Sequence, residues 1–145
     1  MVLFFFQDCD FKLTGKVGYK KWLKELATLQ GEKLGALNII FCSDAYLLKM
    51  NQDFLDHHYY TDVITFDTSE PSGGGKKISG DIFMSVDTIA HNAADYKVSF
   101  EEELRRVMAH GLLHLLGYND GTVAEQAEMR WQEDLALCLF PTFAA

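Results

Sequence analysis

Met108-Ala-His-Gly-Leu-Leu-His-Leu-Leu-Gly-Tyr-Asn-Asp120 is the stretch on which the reading of this chain turns. His110 and His114 stand four residues apart in a run that is otherwise apolar or glycine as far as Gly117. On a helix, residues at i and i+4 share a face one turn apart, so two imidazoles can reach one metal ion from a single rigid element. Gly117 ends that helix, because glycine takes the left-handed position beyond a helix at little cost. The chain then turns through Tyr118 and Asn119 and can bring Asp120 back toward the same ion. Two imidazoles and a carboxylate leave one position open for water, as in catalytic zinc sites.

The same residues have plainer readings. One His on an apolar helix face is ordinarily a core residue with one hydrogen-bond partner. A second at i+4 requires a second set of buried partners, which makes that reading harder to sustain. Asn119-Asp120-Gly121 taken alone is a turn. The zinc-peptidase pattern His-Glu-x-x-His would supply a glutamate base beside the first His, but Gly111 occupies that position.

The flanking signals predict how the stretch is held. Ser99 with Glu102 reads as a capping box, and Glu101, Glu102 and Glu103 lie where the helix dipole favours acids. This helix is expected to run to Leu116. Thr122 with Glu125 reads as a second box. It starts a helix with Val123, Ala127, Trp131, Leu135 and Cys138 along one apolar stripe, stopped near Pro141. Thr122 is the better-placed cap, which leaves Asp120 in the loop, free to bind something.

Upstream, apolar periodicity predicts strands over 2–7, 36–42, 61–66 and 78–85. It predicts helices over 17–29, 44–53 and 86–96, the second capped by Ser43. In the first helix Val17, Trp22, Leu23, Leu26, Ala27 and Leu29 form the apolar part, and Lys16, Lys20, Lys21 and Lys24 the wet part. Those lysines are either a solvated face or a contact to an RNA backbone. The Gly-rich segment 69–77 lacks a Walker pattern and reads as a connection between neighbouring strands.

Composition sets the class. The chain has 145 residues, 48% of them hydrophobic, which suits one globular domain over 1–145 with a real core. No apolar run is long enough to span a bilayer, so no membrane partner is expected. Cys9, Cys42 and Cys138 are odd in number and lack Cys-x-x-Cys spacing, which predicts reduced thiols in a cytoplasmic protein. The formal net charge is −8, yet residues 1–34 carry six Lys against four acids, so the remaining 111 residues carry −10. An acidic remainder favours cations, a metal included, and leaves the lysine-bearing N-terminal part as the evident phosphate-friendly surface.

His110-Gly-Leu-Leu-His-Leu-Leu-Gly-Tyr118 closely resembles the signature of the YbeY family, bacterial metal-dependent endoribonucleases of rRNA maturation. Asn51, Thr61-Asp-Val-Ile-Thr-Phe66, Gly80-Asp-Ile82, Glu103-Leu104, Met129 and Glu133 follow in the family's order, and the resemblance covers roughly residues 35–137. It implies an α/β (α+β) fold, a mixed sheet of about four strands with about five helices around it. It also implies one divalent transition-metal ion per chain, with zinc as the expected ion. The implied partners are single-stranded RNA, rRNA and the ribosomal small subunit, in 3′-end maturation and ribosome quality control.

Two positions depart from the family. The third His, six residues after the second, is replaced by Asp120, and an Arg four residues after the Asn is replaced by Leu55. The first change keeps a ligand of another type, and the second removes a cation that suits a phosphodiester. The metal ligands are then His110, His114 and Asp120. Arg106, one turn before His110, and His57 and His58, in the loop of the motif that lost the Arg, are the candidate helpers for the missing cation. Lys20, Lys21 and Lys24 are the candidate RNA contacts. No general base can be assigned. The residues leave three classes open: an endoribonuclease, a non-catalytic RNA-binding assembly factor with a structural metal, and a metallohydrolase of another substrate.

Overall fold

In the computed structural model, which describes residues 1–55, 63–73 and 75–143, the helix that carries the histidines packs on two neighbouring strands of a single sheet. The elements are β1 (Val2–Gln7), α1 (Lys16–Leu29), β2 (Lys33–Cys42), α2 (Asp44–Leu55), β3 (Val63–Asp67), β4 (Glu70–Ser72) and β5 (Gly75–Ser85). They are followed by α3 (Val86–Tyr96), α4 (Phe100–Leu115), α5 (Val123–Leu139) and a 3₁₀ turn (Phe140–Phe143). The strand order is β1-β2-β5-β3, with β4 paired to the start of β5. β1, β2 and β5 run parallel, whereas β3 and β4 run antiparallel to β5.

The sheet therefore has five strands, one more than the sequence predicts. The extra strand arises where a plain connection is expected. Glu70, Pro71 and Ser72 pair with Lys77, Lys76 and Gly75, a hairpin that extends the β3–β5 pairing outward. Pro71 lacks an N–H and is tolerated there because β4 pairs on one side only.

Alternation sorts β1 between the two faces. Phe4 and Phe6 stack on Phe41, while Leu3 and Phe5 point the other way and stay exposed. The main core lies on the Phe41 side, where α1 brings Trp22, α4 brings Leu104, Met108 and Leu112, and α5 brings Ala136 into one cluster with Ile39, Ile82 and Met84. A smaller cluster of Cys42, Leu47 and Ile64 forms under α2. Burial, then the neighbouring Cys9 thiol, pushes the Cys42 thiol up to about 12, so it acts as an inert core group.

Ser43 caps α2 as expected, its hydroxyl accepting from Tyr46 N–H at 3.1 Å. Two apolar faces differ from the sequence reading. In α1 the buried set is Tyr19, Trp22, Leu23, Leu26 and Ala27, while Val17 and Leu29 at its ends are exposed. In α5 the stripe of Val123, Trp131 and Leu135 faces outward, and Met129, Glu133 and Ala136 face in. The reason lies in the partner helix: α5 packs on α4, where Arg106 and His110 both bond Glu133, so the face that carries Glu133 turns inward.

Helix α4 sits on β5 through Gly111. A Cβ at that position would stand 2.8 Å from Ile82 Cγ2, closer than real Cβ contacts come. The glycine in place of a zinc-peptidase glutamate is thus a packing requirement as well as a missing base, because no side chain fits between helix and sheet there.

Candidate metal centre

The last turn of α4 is pinned by a backbone cap and the first turn of α5 by a side-chain capping box. Gly117, with φ of 105°, lets its N–H donate to His114 O and Tyr118 N–H donate to Leu113 O, the paired bonds of a Schellman ending. Five residues later Thr122 Oγ1 accepts from Glu125 N–H at 3.1 Å, and Glu125 Oε1 accepts from Thr122 N–H at 3.0 Å. The loop between them has fixed ends, and Gln126 Nε2 donates to Asp120 O at 3.2 Å to hold it further.

These constraints bring His110, His114 and Asp120 together. The two Nε2 atoms lie 2.9 Å apart, and Asp120 Oδ2 lies 3.4 Å from that of His110 and 3.5 Å from that of His114. Among the described residues this is the one such cluster of His, Cys or acidic side chains able to hold a metal, with its ligand atoms all within 4.8 Å of one another.

The outer ring nitrogens decide what the inner ones can be. Tyr118 O only accepts, so His114 Nδ1, 3.0 Å away, carries a proton. Glu133 Oε2 lies 2.7 Å from His110 Nδ1 and fixes a proton there in the same way. A neutral imidazole protonated at Nδ1 presents a lone pair at Nε2. Two such lone pairs and a carboxylate oxygen then face each other, and they repel unless a cation, a proton or a metal, lies among them. Tetrahedral coordination at zinc-like bond lengths separates ligand atoms by about 3.3 Å, which is the scale of these three distances. The donor set therefore fits a divalent metal ion.

Glu133 borders the site, and sequence reasoning noticed it only as a family landmark. It is 6% exposed and bonds both His110 and Arg106, the latter at 2.9 Å. The available signal was an acid at the centre of the face set by Met129 and Ala136, where a buried carboxylate needs partners. Orienting carboxylates of this kind tune metal ligands at a distance. Glu133→Gln is expected to lower metal affinity about 10- to 100-fold with little change in the circular dichroism of the fold. Competition with a chromophoric chelator measures this, and wild-type affinity would remove Glu133 from the site.

The other predicted residues fall in separate places. Arg106 is spoken for: its two terminal nitrogens donate to Glu133 and to Asp134, the latter at 2.8 Å. Burial opposes its charge, but the bonds to Asp134 and Glu133 outweigh this and raise its pKa above the ordinary arginine value. Lys20 and Lys24 line a cavity of about 730 Å³ with Thr28 and Lys33, whereas Lys21 is not among its lining residues. Gln30, at the end of the same helix, accepts from Tyr118 Oη at 2.8 Å, linking α1 to the turn that holds His114. His57 and His58 lie outside the described residues.

A family model described as Endoribonuclease YbeY matches residues 8–139. The chain belongs to the YbeY family. It is 49% identical over 138 residues to the Endoribonuclease YbeY of Cytophaga hutchinsonii, covering 95% of this chain and 94% of that one. It is 44% identical over 133 residues to the family member of Flavobacterium psychrophilum, covering 92% of each. A Thermotoga maritima protein solved in solution superposes with a TM-score of 0.63 at 25% identity, covering 94% of this chain and 87% of that one. The matched span extends the resemblance from roughly residues 35–137 to include the lysine-bearing helix α1.

Proposed function

We propose that this chain is a metal-dependent endoribonuclease that cuts single-stranded RNA, acting in the cytoplasm on the 3′ end of small-subunit rRNA and in ribosome quality control. The observation that carries the metal dependence is the convergence of two imidazole lone pairs and the Asp120 carboxylate at 2.9–3.5 Å. The relatives' shared name supports RNA as the substrate. A divalent ion in the site would supply Lewis acidity toward a phosphate oxygen and toward water.

The chain's own residues do the rest. Glu133 and Tyr118 O keep both rings protonated on the outer nitrogen, so the inner nitrogens stay available as donors. Asp120 lowers the positive charge of the site relative to a third imidazole. Zinc is the expected ion, and the carboxylate also makes manganese or iron compatible. Lys20, Lys21 and Lys24 supply the cationic face of α1 for the RNA backbone.

Leu55, standing where the family carries an Arg, favours a second reading, an RNA-binding assembly factor that has lost cleavage. Incubating metal-assayed protein with single-stranded RNA, duplex RNA and DNA, with and without chelator, separates the two. The expected result is cleavage of single-stranded RNA alone, abolished by chelator and restored by metal, because unpaired bases and the 2′-OH are what such a site can reach. Binding without cleavage at full metal content would establish the second reading. Peptide hydrolysis without RNA hydrolysis would overturn both.

A further inference from the structure

A second polar recess adjoins the metal centre on its far side, and its outer residues Asn92, Tyr96 and Arg130 are used by none of the chemistry above. Helices α3 and α5 flank α4 and leave a cavity of about 140 Å³. Its floor is formed by Glu103, Arg106, Val107 and His110 of α4, so that the inner end carries the buried Glu103 and the cationic group open to solvent stands at the rim. Asn92 and Tyr96 of α3 form one wall, and Arg130 and Glu133 of α5 the other. His110 thus has two neighbours: its Nε2 faces the metal cluster, and its Nδ1 side, held by Glu133, borders this recess. A group seated there lies one imidazole ring away from the metal position.

Three features give the recess a chemistry. Arg130 is exposed and makes no hydrogen bond or ion pair among the described residues. It stands four residues before Asp134, the helical spacing for an ion pair, but Asp134 is turned to Arg106 at 2.8 Å. The guanidinium fork is therefore unclaimed, in a chain whose acids outnumber its bases 21 to 13. The Tyr96 side chain, one turn from Asn92 on the same face, belongs to a residue 62% exposed and offers a ring to solvent at the rim. Asn92 adds an amide that can both donate and accept. Finally, the volume is well below the roughly 300–1,000 Å³ of pockets for drug-sized ligands, so it takes a group the size of a phosphate or one base.

We propose that the α3–α5 recess is a nucleotide subsite for the single-stranded substrate, in which Arg130 grips a backbone phosphate flanking the cut and Tyr96 stacks on an unpaired base. The assignment rests on the RNA reading of the preceding subsection and supplies a cation on the site's border that Leu55 does not. An arginine fork matches phosphate oxygens in pairs, and an exposed aromatic ring accepts any base by its face. Arg106 takes no part in gripping the substrate, because Glu133 and Asp134 already hold it. Arg130 and Tyr96 are positioning residues: they place the strand and do not touch the reacting atoms.

The test is fluorescence anisotropy of a short labelled single-stranded RNA on metal-loaded protein, read beside metal content and thermal melting. Arg130→Ala and Tyr96→Leu are each expected to weaken binding about tenfold, with metal content and melting temperature unchanged. Arg130→Lys should recover part of the loss, since it keeps the charge without the fork. In cleavage assays the loss should appear in KM more than in kcat. Wild-type affinity in both alanine and leucine variants overturns the proposal, and so does a loss accompanied by lost metal or a lowered melting temperature. Binding that depends on Arg130 and Tyr96 in a wild-type protein that does not cut RNA would sink the endoribonuclease reading alone and leave the subsite standing.

Discussion

Replacing His110 and His114 together by alanine should yield a folded protein that carries no transition metal and cuts no RNA. The wild type should carry about one ion per chain. The fold is expected to survive because neither removal strands a buried charge. Glu133 keeps its bond to Arg106, and alanine is the best helix former at both positions. The Tyr118 carbonyl loses one partner, a cost of about 1 kcal/mol, and Glu133 Oε2 loses its bond to His110, a charged bond of about 1.5–3 kcal/mol. Metal analysis gives the first readout. The second is thermal: the wild type should lose stability on chelation, since an ion that binds only the folded state stabilises it by mass action, whereas the double variant should not respond. Full metal retention in the double variant would falsify the assignment of the site.

Substitution of Asp120 should produce the next largest effect and a diagnostic order. Asp120→Ala removes a ligand outright. Its cost should be at least on the order of 100-fold in metal affinity, since loss of a mere orienting partner costs 10- to 100-fold. Asp120→His should keep binding and shift preference toward zinc, imidazole being the softer donor. Asp120→Asn keeps the size and hydrogen bonding of the side chain but not its charge, and should fall between His and Ala. The alternative makes the opposite forecast. If Asp120 were only a turn residue, Asn would be the best tolerated, because it suits turns as well as Asp does. The geometry favours ligation: Oδ2 reaches both Nε2 atoms while the Asp120 carbonyl, not the carboxylate, accepts the loop bond from Gln126. Affinity of Asp120→Asn equal to wild type, with Asp120→Ala only slightly weaker, would return Asp120 to the turn.

The sequence by itself determined most of what depends on neighbours a few residues apart, although at Ser99 the structure shows the bond accepted from Glu102 N–H and not the reciprocal half of the expected box. The His110–His114 spacing placed two imidazoles on one face. Gly117 ended α4 in the predicted left-handed turn, and Thr122 with Glu125 closed the predicted box. Strand periodicity located four of five strands, because alternation is a local pattern. Only the tertiary structure decided which side of α5 faces inward. The outward turn of Trp131 and Leu135 follows from Glu133 meeting His110 across 23 positions and Arg106 across 27. Apolar periodicity carries no information about such partners, since a buried carboxylate is stabilised by groups distant in sequence. The same holds for Gly111, whose need is set by Ile82 on β5, and for Arg106, which sequence spacing offers to a phosphate but two carboxylates on α5 hold. It holds also for the β4 hairpin, where pairing with the long β5 made a strand of a segment whose composition reads as a loop.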